Sequence, residues 1–190
     1  MAKKTVKRYA ALLRGINVGG NKKVPMAELR TLLEGLGHQD VVTYLQSGNA
    51  VFAAPEQDPA GLARALEQAI EGHFGFSVAC LVVDGDYLAA VAADCPYPAA
   101  ELEGKQLHAT FLSEQPAAGR LDGVDPARFA PEDYRLGDRV LYLYAPDGLG
   151  RSKLAEALAR PALLKGIDTT TRNWNTVAKL VELTRPDPAA

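Results

Sequence analysis

The sequence has 190 residues and a net charge of −2, and its 47% hydrophobic and 23% charged residues are typical of a folded globular protein. No run approaches the ~20 apolar residues of a membrane helix, and the basic start of the chain has no apolar signal segment, so we expect a cytoplasmic protein without a membrane partner. The charge is unevenly spread, because residues 1–30 hold eight Lys and Arg residues against one acid, whereas residues 56–103 hold nine acids against one Arg.

The first half of the chain alternates between apolar runs typical of strands and amphipathic stretches typical of helices. A hairpin is predicted at residues 46–49, because Gly48 and Asn49 tolerate the positive φ of tight turns. Gly37 and Gly72 are predicted to end the two helices. The predicted strands are residues 8–13, 41–45, 50–53 and 76–83, and the predicted helices are residues 25–36 and 59–72.

The second half repeats this order in a weaker form. A connecting helix near residues 86–93 and a proline-rich turn lead into it, and its own first helix is interrupted by prolines. Gly137 and Asp138 indicate a second hairpin at the position that matches residues 47–49. The predicted strands are residues 108–112, 134–136, 140–144 and 167–171, and the predicted helices are residues 152–160 and a final helix that begins at Asn173 or Asn175.

The order β-α-β-β-α-β in each half predicts the α+β class, with two ferredoxin-like (βαββαβ) subdomains related by structural duplication. We also expect the first and third strands of each half to be parallel, so that the loops after them share one edge of the sheet. A single mixed sheet is the alternative. The predicted division is a first subdomain at residues 1–83, a connecting helix and linker at 84–104, a second subdomain with its C-terminal helix at 105–185, and a tail at 186–190.

A glycine-rich segment, residues 14–23, joins the first strand to the first helix. Backbone N–H groups converge on anions at such places, and this segment adds cations and amides that recognise phosphate or carboxylate. It is not a Walker P-loop, because no Ser or Thr follows its lysines, and its glycines lack the dinucleotide-binding spacing. The alternative is that the glycines form a long turn. The candidate ligand-binding residues here are Arg14, Asn17, Gly19, Gly20 and Lys23.

Three further polar clusters supply the remaining candidate ligand-binding residues. The turn before residues 50–53 contains Ser47 and Asn49, for which hairpin formation is the favoured alternative. The segment 148–153 places cations at the start of a helix, where the helix dipole disfavours them unless an anion is bound. The segment 169–175 is rich in hydrogen-bonding groups and contains the only Trp, for which packing in the core is the alternative. From these two segments the candidates are Lys153, Arg172 and Asn173.

Four separated motifs carry a resemblance to a known family. The motifs ALLRGINVGG, TYLQSGNAVF, GRSK and TTRNWNT resemble the bacterial domain-of-unknown-function family 1697, and the resemblance extends from Tyr9 to Leu183. It implies two α+β subdomains and assigns no activity. The positions that match the family motifs are Arg14, Gly15, Asn17, Gly19, Gly20, Lys23, Ser47, Gly48, Asn49, Lys153, Thr171, Arg172, Asn173 and Trp174.

The clustered Arg, Lys, Gly and Asn residues favour binding of an anionic small molecule that carries phosphate or carboxylate. Nucleic acid is the second candidate partner, since RNA-binding modules share this element order, although the strand at residues 50–53 lacks their aromatic pattern. An enzyme acting on a phosphorylated substrate is the third. No catalytic residue, cofactor or metal ligand is predicted, because the two cysteines and three histidines lie in unrelated contexts. The anion hypothesis requires that Arg14, Lys153 and Arg172 meet in one pocket.

Overall fold

The computed structural model describes residues 5–186 and confirms the α+β class. These residues form two four-stranded antiparallel sheets and five α-helices. They divide into two compact units, which we call unit 1 (residues 5–89 and 180–186) and unit 2 (residues 90–179). Most of the predicted tail at residues 186–190 lies outside the described residues. No helix within residues 5–186 combines the length and the apolar character needed to cross a bilayer.

Unit 1 is built on a sheet with the strand order β2-β3-β1-β4, in which all neighbouring strands are antiparallel. Its elements are β1 (Val6–Leu13), α1 (Met26–Gly35), β2 (Gln39–Tyr44), β3 (Asn49–Pro55), α2 (Pro59–Phe74) and β4 (Cys80–Asp84), followed by α3 (Gly85–Ala93). The prediction that the first and third strands are parallel is wrong, because β1 pairs with β3 in antiparallel register. The reason is that α1 returns the chain so that β2 runs in the direction of β1, and the following turn then reverses β3.

The antiparallel pairing brings three loops to one end of this sheet. The backbone N–H of Leu13 donates to Gly48 O at 2.9 Å, and that of Arg14 donates to Ala79 O, also at 2.9 Å. The loop after β1 therefore lies against the β2–β3 turn and against the loop that precedes β4. The sequence predicted that the loop after β3 lies at this end instead.

The hydrophobic core of unit 1 is formed by one face of the sheet together with α1 and α2. Alternate residues of β1 and β3 belong to it, because successive side chains of a strand point to opposite faces. Its buried members include Tyr9, Ala11, Leu13, Phe52, Ala54, Leu29, Leu33, Leu62, Leu66 and Ile70. The prediction that α2 ends at Gly72 is wrong. The helix continues to Phe74, which packs against this core, and Gly75 (φ 76°) provides the left-handed cap.

The end of the last helix, α5 (Trp174–Thr184), also belongs to unit 1, from residue 180 onward. Arg8 Nη1 donates to Leu183 O at 3.4 Å. The backbone at Gly85 approaches Thr184 so closely that a Cβ on Gly85 would lie 2.7 Å from Thr184 O. Residues from both ends of the described chain therefore contribute to unit 1, whereas the sequence predicted that the final helix lies wholly in the second half.

Unit 2 contains a sheet with the equivalent order β6-β7-β5-β8, which is also antiparallel throughout. Its elements are β5 (Leu107–Leu112), β6 (Asp133–Leu136), β7 (Val140–Tyr144), α4 (Lys153–Leu158), β8 (Thr169–Asn173) and the first part of α5. Between β5 and β6, where unit 1 has α1, the chain forms only a 3-10 turn at Pro126–Phe129. The buried core of unit 2 includes Leu112, Leu121, Val124, Leu141, Leu143, Leu154, Leu158 and Ile167.

Gly48, in the β2–β3 turn, is closely packed against its neighbours. We therefore predict that a larger side chain at this position lowers the stability of the fold. Its φ is 86°, and an added Cβ would lie 2.7 Å from Ile16 Cδ1 and 2.9 Å from Leu13 Cβ. We expect Gly48→Ala to lower the free energy of unfolding by about 2–4 kcal/mol, because left-handed backbone strain adds to overpacking. Urea denaturation followed by circular dichroism measures this change.

The matched control for this prediction is Gly72→Ala. Gly72 lies within α2, and a Cβ added there meets no atom within 4 Å. We expect this variant to be as stable as the wild type or up to ~1 kcal/mol more stable, because Ala has the higher helix propensity. Equal denaturation midpoints for the two variants would contradict the packing described for Gly48.

Candidate functional site

The loop after β1, residues 14–25, is called the glycine loop below, and its central part is a small hairpin. The backbone N–H of Asn17 donates to Lys22 O at 3.2 Å, and that of Asn21 donates to Val18 O at 3.2 Å. Gly19 (φ 60°) and Gly20 (φ 80°) form the two-residue turn between Val18 and Asn21, which requires positive φ at both positions. The spacing of these two glycines is thus explained by the turn.

Asn17 fixes the glycine loop to the rest of unit 1. Its Oδ1 accepts from the backbone N–H of Val24 at 2.9 Å, and its Nδ2 donates to Val24 O at 2.9 Å and to Gln46 O at 2.8 Å. The last bond joins the glycine loop to the β2–β3 turn. Both Nδ2 hydrogens are therefore engaged within the protein, so a ligand contact of this donor requires one of these bonds to open.

Ser47 and Asn49 stabilise the β2–β3 turn itself. Asn49 is fully buried (0% exposed), and its Nδ2 donates to Tyr44 O at 2.9 Å and to Ser47 Oγ at 3.2 Å. Ser47 is exposed at the same end of the sheet as the glycine loop. The hairpin role that the sequence favoured for these two residues agrees with these hydrogen bonds, and their predicted contact with a ligand stays a prediction.

The cations of the glycine loop have no carboxylate partner within residues 5–186. Arg14 and Lys23 are exposed and form no side-chain hydrogen bond or ion pair with the described residues. Lys22 Nζ donates to a backbone oxygen, Ser77 O, at 2.7 Å. By contrast, a carboxylate lies within 4 Å of Lys7, Arg8 and Arg64, and Arg30 on α1 donates to Thr43 Oγ1 at 3.4 Å. The loop therefore presents positive charge that no described acidic side chain neutralises.

The start of α1 offers free N–H groups, because it alone among the α-helices of the described chain has no capping side chain, and the acidic residue of its first turn, Glu28, is paired with His73. Pro25 occupies its N-cap position and forms no side-chain hydrogen bond. The capping residues of the other helices are Asp58 (α2), Asp84 (α3), Ser152 (α4) and Asn173 (α5). Uncapped N–H groups carry a partial positive charge that favours an anion. We call Arg14, Lys22, Lys23 and the start of α1 the cationic end of unit 1.

In unit 2, the start of α4 is occupied by a carboxylate of the chain itself, that of Glu132. Its Oε2 accepts from Ser152 Oγ at 2.5 Å and from the Leu154 N–H at 2.9 Å, and its Oε1 accepts from the Lys153 N–H at 3.2 Å. The ammonium group of Lys153 lies 3.5 Å from Glu156 Oε2. The anion that the sequence suggested for this helix start is thus supplied by Glu132, which sequence reasoning missed because it lies in a distant loop.

Arg172 and Asn173 lie at the end of β8. Arg172 is 8% exposed, and its Nη1 donates to Thr170 Oγ1 at 2.7 Å and to Thr171 O at 2.9 Å. Burial lowers the pKa of Arg172 to about 10. Asn173 is exposed, and its Oδ1 accepts from the Thr176 N–H at 2.9 Å as the cap of α5. That these residues and Lys153 meet Arg14 in one pocket stays a prediction.

Trp174 is half-buried, and its contacts within unit 2 are structural. Its backbone N–H donates to Gly104 O at 3.2 Å, and its ring centroid lies 6.4 Å from that of Tyr142. The Tyr142 hydroxyl in turn donates to Val91 O at 2.8 Å. Within unit 2, Trp174 therefore packs against the sheet through Tyr142, in agreement with the core interpretation.

His108, on β5, is a polar residue that sequence reasoning did not identify. It is 6% exposed, and its Nδ1 has no hydrogen-bond partner among the described residues. Burial lowers the pKa of His108. Its register partners are Leu143 on β7 and Asn173 on β8. Within residues 5–186, no group of three or more His, Cys, Asp or Glu side chains is placed to hold a metal ion.

Comparison with known proteins confirms the family resemblance. A family model described as a protein of unknown function (DUF1697) matches residues 6–142, which is more than half of the chain. A search of curated proteins gives no match. Among solved structures, the conserved bacterial protein SP0830 from Streptococcus pneumoniae is similar, with a TM-score of 0.70 and 25% sequence identity over 95% of this chain and 100% of that chain.

Glu132 is predicted to be important for the stability of unit 2. We expect Glu132→Ala to lower the free energy of unfolding by about 1–3 kcal/mol, because the start of α4 loses a charged acceptor and the Ser152 hydroxyl loses a partner. Urea denaturation measures the loss. Glu114→Ala is the control, because Glu114 is exposed and has no described partner. If both variants unfold at the same urea concentration, Glu132 does not stabilise α4.

Because His108 is buried, we predict that the free energy of unfolding decreases in mild acid. The pKa of His108 in the folded state lies below the value of about 6.5 expected for the unfolded chain, so the unfolded state binds more protons at acidic pH. The free energy of unfolding should therefore fall as the pH decreases from ~6.5, and should not respond to this residue above ~7.5. We expect His108→Leu to be less pH-dependent in urea denaturation between pH 5 and 8, and an unchanged dependence would contradict this assignment.

Proposed function

This chain belongs to the DUF1697 family, whose description assigns no function, and we propose that it binds an anionic small molecule at the cationic end of unit 1. The observation that carries the proposal is that Arg14 and Lys23 are exposed, and neither forms a side-chain hydrogen bond or an ion pair with the described residues. A phosphate or carboxylate group of the ligand supplies the missing negative charge. Arg14 is the preferred contact, because a guanidinium group binds both oxygens of such a group.

The surrounding backbone favours the same kind of ligand. The start of α1 offers N–H groups that no side chain caps, and Lys22 and Lys23 lie shortly before it in the chain, separated from it by Val24 and Pro25. Adjacent positive charges repel one another, and an anion placed between them relieves this repulsion. Asn17 holds the loop to Val24 and Gln46, so the cations are carried on a braced hairpin that needs little ordering when the ligand binds.

The expected strength of binding follows from the number of contacts. A helix start contributes only ~0.3–1 kcal/mol to binding of an exposed anion. Hydrogen bonds to charged groups contribute about 1.5–3 kcal/mol each, and micromolar affinity requires ~8 kcal/mol. Arg14, Lys22 and Lys23 therefore have to act together, and we expect dissociation constants between ~1 μM and ~1 mM.

A thermal-shift screen with pyrophosphate, nucleoside triphosphates and sugar phosphates tests the proposal. At least one of them should raise the Tm at millimolar concentration, because a ligand that binds only the folded state stabilises it. The double variant Arg14→Ala/Lys23→Ala should weaken binding of that compound by about 10–100-fold, the loss of one or two charge-assisted contacts. Isothermal titration calorimetry measures the change.

The control for charge is Arg160→Ala/Lys165→Ala, which removes two exposed cations of unit 2 and changes the net charge equally. We expect this control to bind like the wild type. Equal losses in both double variants, or no response to any compound, would contradict the proposal.

A gel-shift assay with mixed RNA and DNA at low salt separates anion binding from nucleic-acid binding. If the protein shifts the nucleic acids, and the shift is lost at higher salt and in Arg14→Ala/Lys23→Ala, then nucleic acid is the favoured ligand.

We also propose that the two halves are ferredoxin-like subdomains that arose by duplication, with a division near residues 84–104. The equivalent strand orders β2-β3-β1-β4 and β6-β7-β5-β8 support this proposal. The 3-10 turn at Pro126–Phe129 in place of α1 is the main difference between the halves. An experimental structure in which β1 to β4 do not superpose on β5 to β8 would contradict it.

We also propose a cytoplasmic location. Cys80 and Cys95 are free thiols, which are typical of proteins in a reducing compartment.

A further inference from the structure

Two apolar side chains are exposed at the same end of the unit 1 sheet as the cations. Val18, in the glycine loop, is 68% exposed, and Leu45, in the β2–β3 turn, is 51% exposed. From them we infer that the anionic ligand also carries an apolar group, which packs against Val18 and Leu45 while its phosphate or carboxylate contacts Arg14 and Lys23. This inference rests on the proposed function and specifies the ligand class, an amphipathic organic anion.

The position of the two side chains follows from the hydrogen bonds of the loops. Val18 follows Asn17 in the chain, and Leu45 precedes Gln46, and these two neighbours are joined by the 2.8 Å bond from Asn17 Nδ2 to Gln46 O. Val18 also pairs with Asn21, directly before Lys22 and Lys23. The exposed apolar residues and the cations are therefore carried on the same two connected loops.

Neither side chain is needed for the core of unit 1. The apolar residues of the glycine loop that pack inside are Ile16 and Val24, which are fully buried in the core of unit 1. Leu45 has a φ of 59°, and turn positions with such a backbone ordinarily hold Gly, Asn or Asp. An exposed leucine there adds apolar surface that neither the turn nor the core requires.

The surroundings of the glycine loop leave room for a ligand to approach. A Cβ added to Gly15, Gly19 or Gly20 would meet no atom within 4 Å. The surface is thus open and combines positive charge with apolar area. Inorganic phosphate and small sugar phosphates match only its charge, whereas an organic phosphate with an alkyl or aromatic group matches both features.

A series of phosphate monoesters tests the inference, because methyl, butyl and 1-naphthyl phosphate differ in apolar area and share the same dianionic group. Calorimetry at pH 8 gives the dissociation constant of each. For the wild type we expect the affinity to increase at least tenfold from methyl to naphthyl phosphate, as burial of roughly 60 Å² of apolar surface predicts.

The variant Val18→Ser/Leu45→Asn removes the apolar surface, and Asn tolerates the left-handed backbone at position 45. We expect it to bind all three compounds with the affinity that the wild type has for methyl phosphate. Leu136→Ser is the matched control, since Leu136 is an exposed apolar residue of unit 2, and it should keep the wild-type preference. Arg14→Ala/Lys23→Ala should weaken binding of all three compounds by the same factor.

The possible results separate this inference from the proposed function. Equal wild-type affinities for the three esters would overturn the apolar contact and leave anion binding at Arg14 and Lys23 supported. An apolar preference that survives in Val18→Ser/Leu45→Asn would also overturn it, because the apolar group then binds elsewhere. If none of the esters, pyrophosphate or nucleotides binds, both the inference and the proposed function are overturned.

Discussion

The candidate site depends on the antiparallel pairing of β1 with both β3 and β4. This pairing sets the end of β1 beside the turn before β3 and the loop before β4, and the Leu13 and Arg14 N–H groups bond directly to those segments. The glycine loop that carries the cations is therefore connected to the two neighbouring loops. Had β1 and β3 been parallel, the β2–β3 turn would lie at the opposite end of the sheet, and Asn17 could not reach Gln46.

The two units differ in the group that accepts from the first N–H groups of a helix. In unit 2, the carboxylate of Glu132 accepts from the Lys153 and Leu154 N–H groups at the start of α4, and the ammonium group of Lys153 lies near Glu156. In unit 1, α1 starts without a side-chain cap and follows unbalanced lysines. The two segments look alike in sequence, since each places cations near the start of a helix. They differ in whether a distant carboxylate accepts from the N–H groups at the helix start, and this difference favours unit 1 as the place where a ligand supplies the negative charge.

Local patterns predicted most of the secondary structure, and contacts between distant residues explain where prediction failed. The stripe of Leu29 and Leu33 is readable in the sequence because its period reports the buried face of a helix, and the continuous apolar run at residues 9–13 indicates the buried strand β1. The role of Gly72 was predicted wrongly, because the packing of Phe74 against the core decides where α2 ends.

The candidate site was predictable only in part. The glycines and cations of residues 14–23 identified the loop, because their composition is unusual. The hydrogen bonds of Asn17 to Val24 and Gln46 depend on β2 and β3 being in place, and the pairing of Glu132 with the start of α4 spans about twenty residues. The exposure of Val18 and Leu45 was likewise not readable, because an apolar residue in a turn is equally compatible with a place in the core.

The contribution of residues 180–186 to unit 1 has a consequence for how the protein is made. Leu183 and Thr184 contact Arg8 and Gly85, so unit 1 is discontinuous in sequence and unit 2 is encoded between its parts. The ribosome adds residues in chain order, so residues 180–186 follow all of unit 2 during synthesis. Unit 1 therefore gains its contacts with Leu183 and Thr184 only after every residue of unit 2 has been added to the chain.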